Sequence, residues 1–238
     1  MSKLRMILPP QFKHLKLYPY QPLLELRNKE RQVCHLCKSS RKYYCYECNV
    51  MLGLTPDQIP NVTLPVHIDI IKHYAEKASK STTSHARIFA PQSTSIYHYP
   101  NMPSVKNKSK AILVYPCKDS CTIEALSSKI SHGQLDQVIF IDSTWNQATS
   151  IFQNEMFSDI QKVQLSTAET CYWRPQVKQP STYLATIEAI YYFCVEYHKY
   201  ILKREYHGEY DNLLYMYIFQ YNLVQESTKQ HYLDHEKQ

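Results

Sequence analysis

Four cysteines fall within fifteen residues as two matched pairs, Cys34-x-x-Cys37 and Cys45-x-x-Cys48, with seven residues between them. A C-x-x-C turn aims two thiolates at one point, and two such turns complete the tetrahedron that Zn²⁺ takes. The spacing therefore predicts a structural zinc site on Cys34, Cys37, Cys45 and Cys48. A redox-active pair is the weaker reading, because there are two pairs and no thioredoxin-like context. Cys117, Cys121, Cys171 and Cys194 lack paired spacing and read as buried or free thiols.

A second group of reactive side chains is continuous in sequence. Asp142, Ser143, Thr144, Trp145, Asn146 and Gln147 put an acid, two hydroxyls, an indole and two amides in six residues. The plain reading is a helix start, with Asp142 or Ser143 capping a backbone N–H and Trp145 packed beneath. The chemical reading makes Asp142 a proton acceptor or a grip on a ligand, and Trp145 a stacking wall.

The apolar pattern predicts the elements that hold these groups. Strands are expected at 64–71, 87–90, 95–99, 111–115, 137–142 and 162–166, of which 111–115 and 137–142 are continuous apolar runs typical of buried parallel strands. Helices are expected from Asp119 or Ser120 to about Ile130, from Trp145 to Phe157, from Ser181 or Thr182 onward, and over 209–226. Residues 38–44 predict one basic hairpin between the two cysteine pairs. Alternating strands and helices indicate an α/β fold with a largely parallel sheet. A basic segment with the zinc knuckle (1–55) is expected in front of the α/β domain (56–238). Asp142 then ends a strand, and in open α/β sheets ligands sit beyond the carboxyl ends of the strands.

Composition narrows the chemistry. With only 3 Gly in 238 residues there is neither a G-x-G-x-x-G turn nor a Walker A loop. No run approaches the ~18 apolar residues of a membrane span. Met1–Pro10 holds Lys3 and Arg5 without an apolar signal core, so a soluble, intracellular protein is expected. Residues 1–50 carry ten basic and three acidic side chains, a net of +7, whereas the rest of the chain is nearly neutral. The excess positive charge sits with the cysteines, as a solvated terminus or as a footprint for nucleic acid, with Arg41 and Lys42 as substrate contacts.

Asp142-Ser143-Thr144-Trp145 resembles the Asp-x-Thr-Trp signature of the DTW-domain family. The resemblance runs in order from about residue 30 to 200. It takes in the cysteine pairs, the 65–68 strand leading to Lys72-His73, Leu113 to Pro116, Tyr172-Trp173-Arg174, and Thr186-Ile187-Glu188-Ala189. Tyr74 departs from it, standing where the family often has proline.

The family resemblance implies a fold similar to the SPOUT methyltransferases, whose chain can be knotted. It implies transfer of the 3-amino-3-carboxypropyl group of S-adenosylmethionine to N3 of a tRNA uridine, in the D-loop for the eukaryotic branch, with release of 5′-methylthioadenosine. The nucleus is the expected location, with the cytoplasm as alternative; tRNA is the expected partner, with no membrane and no protein partner.

Carried onto this chain, Asp142 and Trp145 would be catalytic. Tyr115, Pro116, Thr144, Trp145, Thr186 and Glu188 would bind the donor. Arg174 would meet the donor carboxylate or an RNA phosphate, unless it is a plain surface residue. Glu188 on its own reads as facing solvent or pairing with Arg174, and His67 and His73 read as structural. Two other functions compete: a SPOUT-type RNA methyltransferase, and a non-catalytic zinc-dependent RNA-binding module.

Overall fold

Ile68, Ile70, Val138 and Phe140 face one side of a sheet while Ile71, Leu113 and Ile139 face the other, each set inside its own apolar cluster. A parallel sheet covered on both faces gives that two-sided burial. The computed structural model describes residues 4, 6–166, 168–172 and 183–235, without the side chains of Trp145 and of 229–235.

In chain order the elements are α1 (Gln21–Arg27), β1 (Gln32–Val33), β2 (Ser40–Arg41), β3 (Tyr44–Cys45), β4 (Val50–Met51), β5 (His67–Lys72), α2 (Thr83–Phe89) and β6 (Thr94–His98). Then follow β7 (Ala111–Val114), β8 (Cys121–Thr122), α3 (Ile123–Leu126), β9 (Gln137–Asp142), α4 (Trp145–Phe152), β10 (Gln161–Gln164), α5 (Thr186–Tyr197) and α6 (Tyr215–His235). The main sheet has the order β6-β5-β9-β7-β10-β8, and each of its pairings is parallel. β9 is threaded between β5 and β7, in register from His67↔Gln137 to Lys72↔Asp142. The chain thus steps outward on both sides and returns to the middle. Such a switch point opens a crevice at the carboxyl ends of the central strands.

One face of the sheet is covered by α2 and α5, with Phe140 meeting Phe193 of α5 edge-on at 5.8 Å, and α6 belongs to the same apolar cluster. The other face is covered by Ile151 of α4 and by Phe157 and Ile160. The strands at 67–72, 94–98, 111–114, 137–142 and 161–164 lie where the apolar runs place them. Residues 87–90 do not form the expected strand. They lie in α2 and its cap, where six of seven residues are buried, so no one-sided period marks the helix. The helix expected from Asp119 or Ser120 is short and starts later, with Thr122 Oγ1 accepting from Ala125 N at 3.1 Å. A two-residue strand, β8, occupies its expected beginning. The helix after Asp142 stops at Phe152, and a separate turn covers 155–157. α5 is described from Thr186; Ser181 and Thr182, its expected start, lie outside the described residues.

The front of the chain shares the core of the rest. Leu4, Phe12, Leu15, Leu23 and Leu26 are buried in the same cluster as α5 and α6, so apolar packing is continuous across residue 55. Polar side chains near α6 serve the extended front segment: Asp211 Oδ2 accepts from Lys16 N at 2.6 Å, and Asn212 Oδ1 from Tyr18 N at 2.7 Å. Asn222 both accepts from Ile7 N at 2.7 Å and donates to Ile7 O at 3.0 Å.

The expected hairpin between the cysteine pairs is replaced by two. β1 pairs with β2 around Cys34-x-x-Cys37, and β3 pairs with β4 around Cys45-x-x-Cys48. Lys38 and Asn49, each following the second cysteine of a pair, take φ of +59° and +55° to turn the chain back.

Tyr44 joins these hairpins to the main fold. Its hydroxyl lies 3.1 Å from Nε2 of fully buried His85 in α2 and accepts from Gln220 Nε2 of α6 at 3.0 Å. Burial lowers the His85 pKa from 6.5 to about 3. The unfolded chain therefore takes up a proton between those values that the folded chain refuses, and stability falls as pH falls below 6.5. Between pH 6.5 and about 5.5, urea unfolding should show the wild-type chain losing about 1 kcal/mol more than His85→Gln. Parallel curves for the two proteins would contradict a buried neutral imidazole.

Candidate active site and metal centre

A cavity of about 470 Å³ opens at the carboxyl ends of β7, β9 and β10, within the size range of small-ligand sites. Val114, Tyr115 and Pro116 continue β7 into it, Ile141 and Ser143 come from the end of β9, and Gln164 to Ser166 continue β10. Thr186 and Ala189 of α5 close it on the remaining side, with Tyr183 beside them. Tyr115 is braced by a stacked contact with Phe152 at 4.5 Å and by its N–H donating to Val163 O at 2.9 Å. Backbone loops and aromatic rings form the lining, so glycine-rich phosphate turns are not needed here.

Asp142 sits behind this lining, 6% exposed. Ser81 Oγ donates to its Oδ2 at 2.6 Å, and Thr186 Oγ1 donates to its Oδ1. Its backbone oxygen accepts from His73 N at 3.0 Å. Asp142 therefore ties three places together: the end of β9, the turn before α2 and the first residue of α5. The neighbouring residue Thr82 adds a parallel link, its Oγ1 accepting from Ile187 N at 3.1 Å.

Among the expected site residues, Tyr115, Pro116 and Thr186 line the cavity, and Asp142 reaches it through Thr186. Thr144 is exposed and serves as the cap of α4, its N–H donating to Gln147 Oε1 at 3.2 Å. The cap of that helix is thus Thr144, not Asp142 or Ser143. The Trp145 side chain and Arg174 lie outside the described residues.

Glu188 neither faces solvent nor presents itself to the surface, because it is fully buried. It accepts from Thr170 Oγ1 at 2.5 Å, Cys171 N at 3.0 Å and Ala185 N at 2.9 Å. Burial raises its pKa, and these donors work against the rise. Its position at the third residue of α5 turns its carboxylate back onto the helix start, which fixes the chain on either side of 173–182.

Ser143, part of the polar group noted in the sequence, lines the cavity, whereas Ser81 was not anticipated from sequence. The available signal was the uncharged run Ser81-Thr82-Thr83-Ser84, all buried and set between Lys80 and His85. His73 accepts from Ala75 N at 3.1 Å and is buried within its turn, in keeping with a structural role.

The four paired cysteines converge. Their sulfurs all lie within 4.8 Å of one another, with Cys37 and Cys45 Sγ 3.5 Å apart. Tetrahedral Zn–S bonds of about 2.3 Å require sulfurs about 3.8 Å apart, so the cluster fits zinc. Cys34 and Cys45 are buried against Leu52, while Cys37 is exposed. Hydrogen bonds from Ser39 to the Cys37 sulfur lower its pKa to about 6, favouring the thiolate that a metal needs. Arg41 and Lys42 sit on the same hairpins, away from the cavity lining. The Arg41 guanidinium lies over the Tyr46 ring at 4.2 Å, and Lys42 Nζ donates to Lys29 O.

The main sheet is all-parallel with a crevice at its switch point, and it is joined to a four-thiol cluster that could hold a metal ion, which defines an α/β protein of open-sheet type. The chain belongs to the DTW domain family, whose profile matches residues 42–225. It is similar to proteins named tRNA-uridine aminocarboxypropyltransferase 1. Identity is 37% with the Xenopus tropicalis protein, covering 91% of this chain and 87% of that protein. It is 38% with the Mus musculus and Homo sapiens proteins, covering 90% of this chain and 84% of each of them. No solved structure matches the chain significantly.

Purified protein should contain about one zinc per chain by elemental analysis, and Cys34→Ser should abolish stoichiometric zinc and lower the melting temperature. Folded wild-type protein without zinc would refute the assignment.

Proposed function

We propose that this chain transfers the 3-amino-3-carboxypropyl group of S-adenosylmethionine to N3 of a uridine in tRNA, releasing 5′-methylthioadenosine. The observation that carries the proposal is the cavity at the β7–β9–β10 strand ends, in a chain of this family. Identity of 37–38% over nine-tenths of the chain to aminocarboxypropyltransferases supports it. A D-loop uridine is the proposed acceptor and the nucleus the proposed location. A SPOUT-like arrangement is part of the proposal, supported by the threading of β9 and β10 between earlier strands.

The residues suit this reaction physically. As a sulfonium, the donor supplies an electrophilic methylene carbon and a neutral thioether leaving group. A cation and a nucleophile gaining negative charge lose charge as they react, so a water-poor site favours the transition state over separated reactants. Tyr115, Pro116 and Leu165 exclude water from the cavity and offer flat apolar surface for a base. Ser143, Gln164 and Ser166 provide the polar groups that orient a ligand there. Asp142 is the carboxylate at which the loss of the N3 proton is finally balanced. Cys34, Cys37, Cys45 and Cys48 would hold a structural zinc that would fix the hairpins, from which Arg41 and Lys42 meet the RNA backbone.

Incubating the protein with unmodified tRNA and S-adenosylmethionine should give 3-(3-amino-3-carboxypropyl)uridine by nucleoside mass spectrometry, with methylthioadenosine in equal amount. S-adenosylhomocysteine as the co-product would instead mean methyl transfer. In filter-binding assays over a salt series, Arg41→Ala with Lys42→Ala should weaken tRNA binding and flatten the log–log slope by about 1.5. An unchanged slope would remove these two residues from the RNA surface.

A further inference from the structure

We infer that Thr186, not Asp142, is the group that meets the acceptor base, and that its hydroxyl passes the N3 proton on to Asp142. The inference rests on the transfer reaction proposed above and specifies the path of its proton.

Three observations carry it. Thr186 lines the cavity and the Asp142 carboxylate does not. Both carboxylate oxygens are already taken by hydroxyl protons, Oδ2 by Ser81 and Oδ1 by Thr186. Because Thr186 gives its one hydroxyl proton to Asp142, its oxygen can offer the cavity lone pairs only. A hydroxyl that donates to a carboxylate is also a stronger acceptor than an isolated one. The side chain that faces the ligand space is thus polarised to receive a proton, with a carboxylate behind it to take the proton it gives up.

Ser81 completes the device. Its oxygen accepts from Thr83 N at 3.2 Å, which directs its own proton toward Asp142 Oδ2. That holds Oδ1 toward Thr186. Ser81 is therefore a positioning residue, and Thr186 the substrate-facing one.

The step balances. The N3–carbon bond forms as the carbon–sulfur bond breaks, and the sulfur leaves with that electron pair as a neutral thioether. The N3 proton moves to Thr186 Oγ1 while the Thr186 proton moves to Asp142 Oδ1. The donor's positive charge and the carboxylate's negative charge disappear together. N3 becomes more acidic as its new bond forms, so the proton can leave within one concerted step.

The test uses the full chain with tRNA and saturating S-adenosylmethionine, comparing wild type, Thr186→Val and Thr186→Ser. Single-turnover rates are measured across pH, and donor affinity is measured by calorimetry. Thr186→Val should lose about 10²-fold or more in rate, with donor affinity within about threefold of wild type. Thr186→Ser should recover to within about tenfold, since it restores the hydroxyl. The rate deficit of Thr186→Val should also shrink at alkaline pH, where the uridine imide ionises without a base; a purely structural defect would not.

Retention of the wild-type rate by Thr186→Val would overturn the relay, since the proton would leave by another route. A lost donor affinity with an unchanged saturated rate would overturn it too, making Thr186 a donor contact. A deficit that stays constant with pH would do the same. A wild-type chain that forms no aminocarboxypropyluridine would instead refute the parent reaction, and this is seen before any variant is compared.

Discussion

A carboxylate removed from water has to be given hydrogen-bond donors, and Asp142 obtains its donors from elements far apart in the chain. Ser81 and Thr186 are separated from it by 61 and 44 residues. Their hydroxyls meet at the end of β9 because the parallel sheet brings the carboxyl ends of its strands to one edge. The first turn of α5 is thereby held to the central strand and to the turn before α2. Whatever enters the cavity meets a wall whose position depends on this buried side chain. Glu188, two residues after Thr186 in α5 and fully buried, fixes the other side of the same helix start. Two carboxylates thus set where α5 begins, one from the sheet and one from the helix itself.

The cysteine hairpins are continuous with this arrangement. Tyr44, next to Cys45 of the four-thiol cluster, touches His85 of α2, and Ser84 Oγ donates to Tyr46 O at 3.4 Å. α2 in turn begins just after Ser81 and Thr82, the residues that reach Asp142 and Ile187. The two hairpins are thus packed against α2 as well as carrying basic side chains.

What could be read from the sequence followed the range over which each signal acts. The cysteine pairs are local, and spacing alone located the cluster. The strand at 137–142 was legible because burial on both faces leaves an unbroken apolar run, and β7 was found the same way. α2 was misread because a helix buried all round keeps no amphipathic period, so Arg87 to Ala90 looked like a strand. β8 is two residues long and carries no pattern at all. Asp142 drew notice through the polar groups crowded around it, yet its partner Ser81 lies in a stretch that reads as a polar loop. Glu188 looked exposed because a lone acid in a helix usually is; its burial is explained only by the donors from 170, 171 and 185. The separation of a front segment from a main domain followed charge, whereas packing joins them through Phe12, Leu15, Leu23 and Leu26.

That joining bears on the order in which the molecule can be built. Ile7, Lys16 and Tyr18 place their backbone groups on Asn222, Asp211 and Asn212, residues made some two hundred positions later. During synthesis residues 7–18 emerge without these partners, and their apolar neighbours must wait until residues 211–222 have left the ribosome. The stretch 211–222 is therefore the seat of residues 7–18, and losing it removes the place where they come to rest.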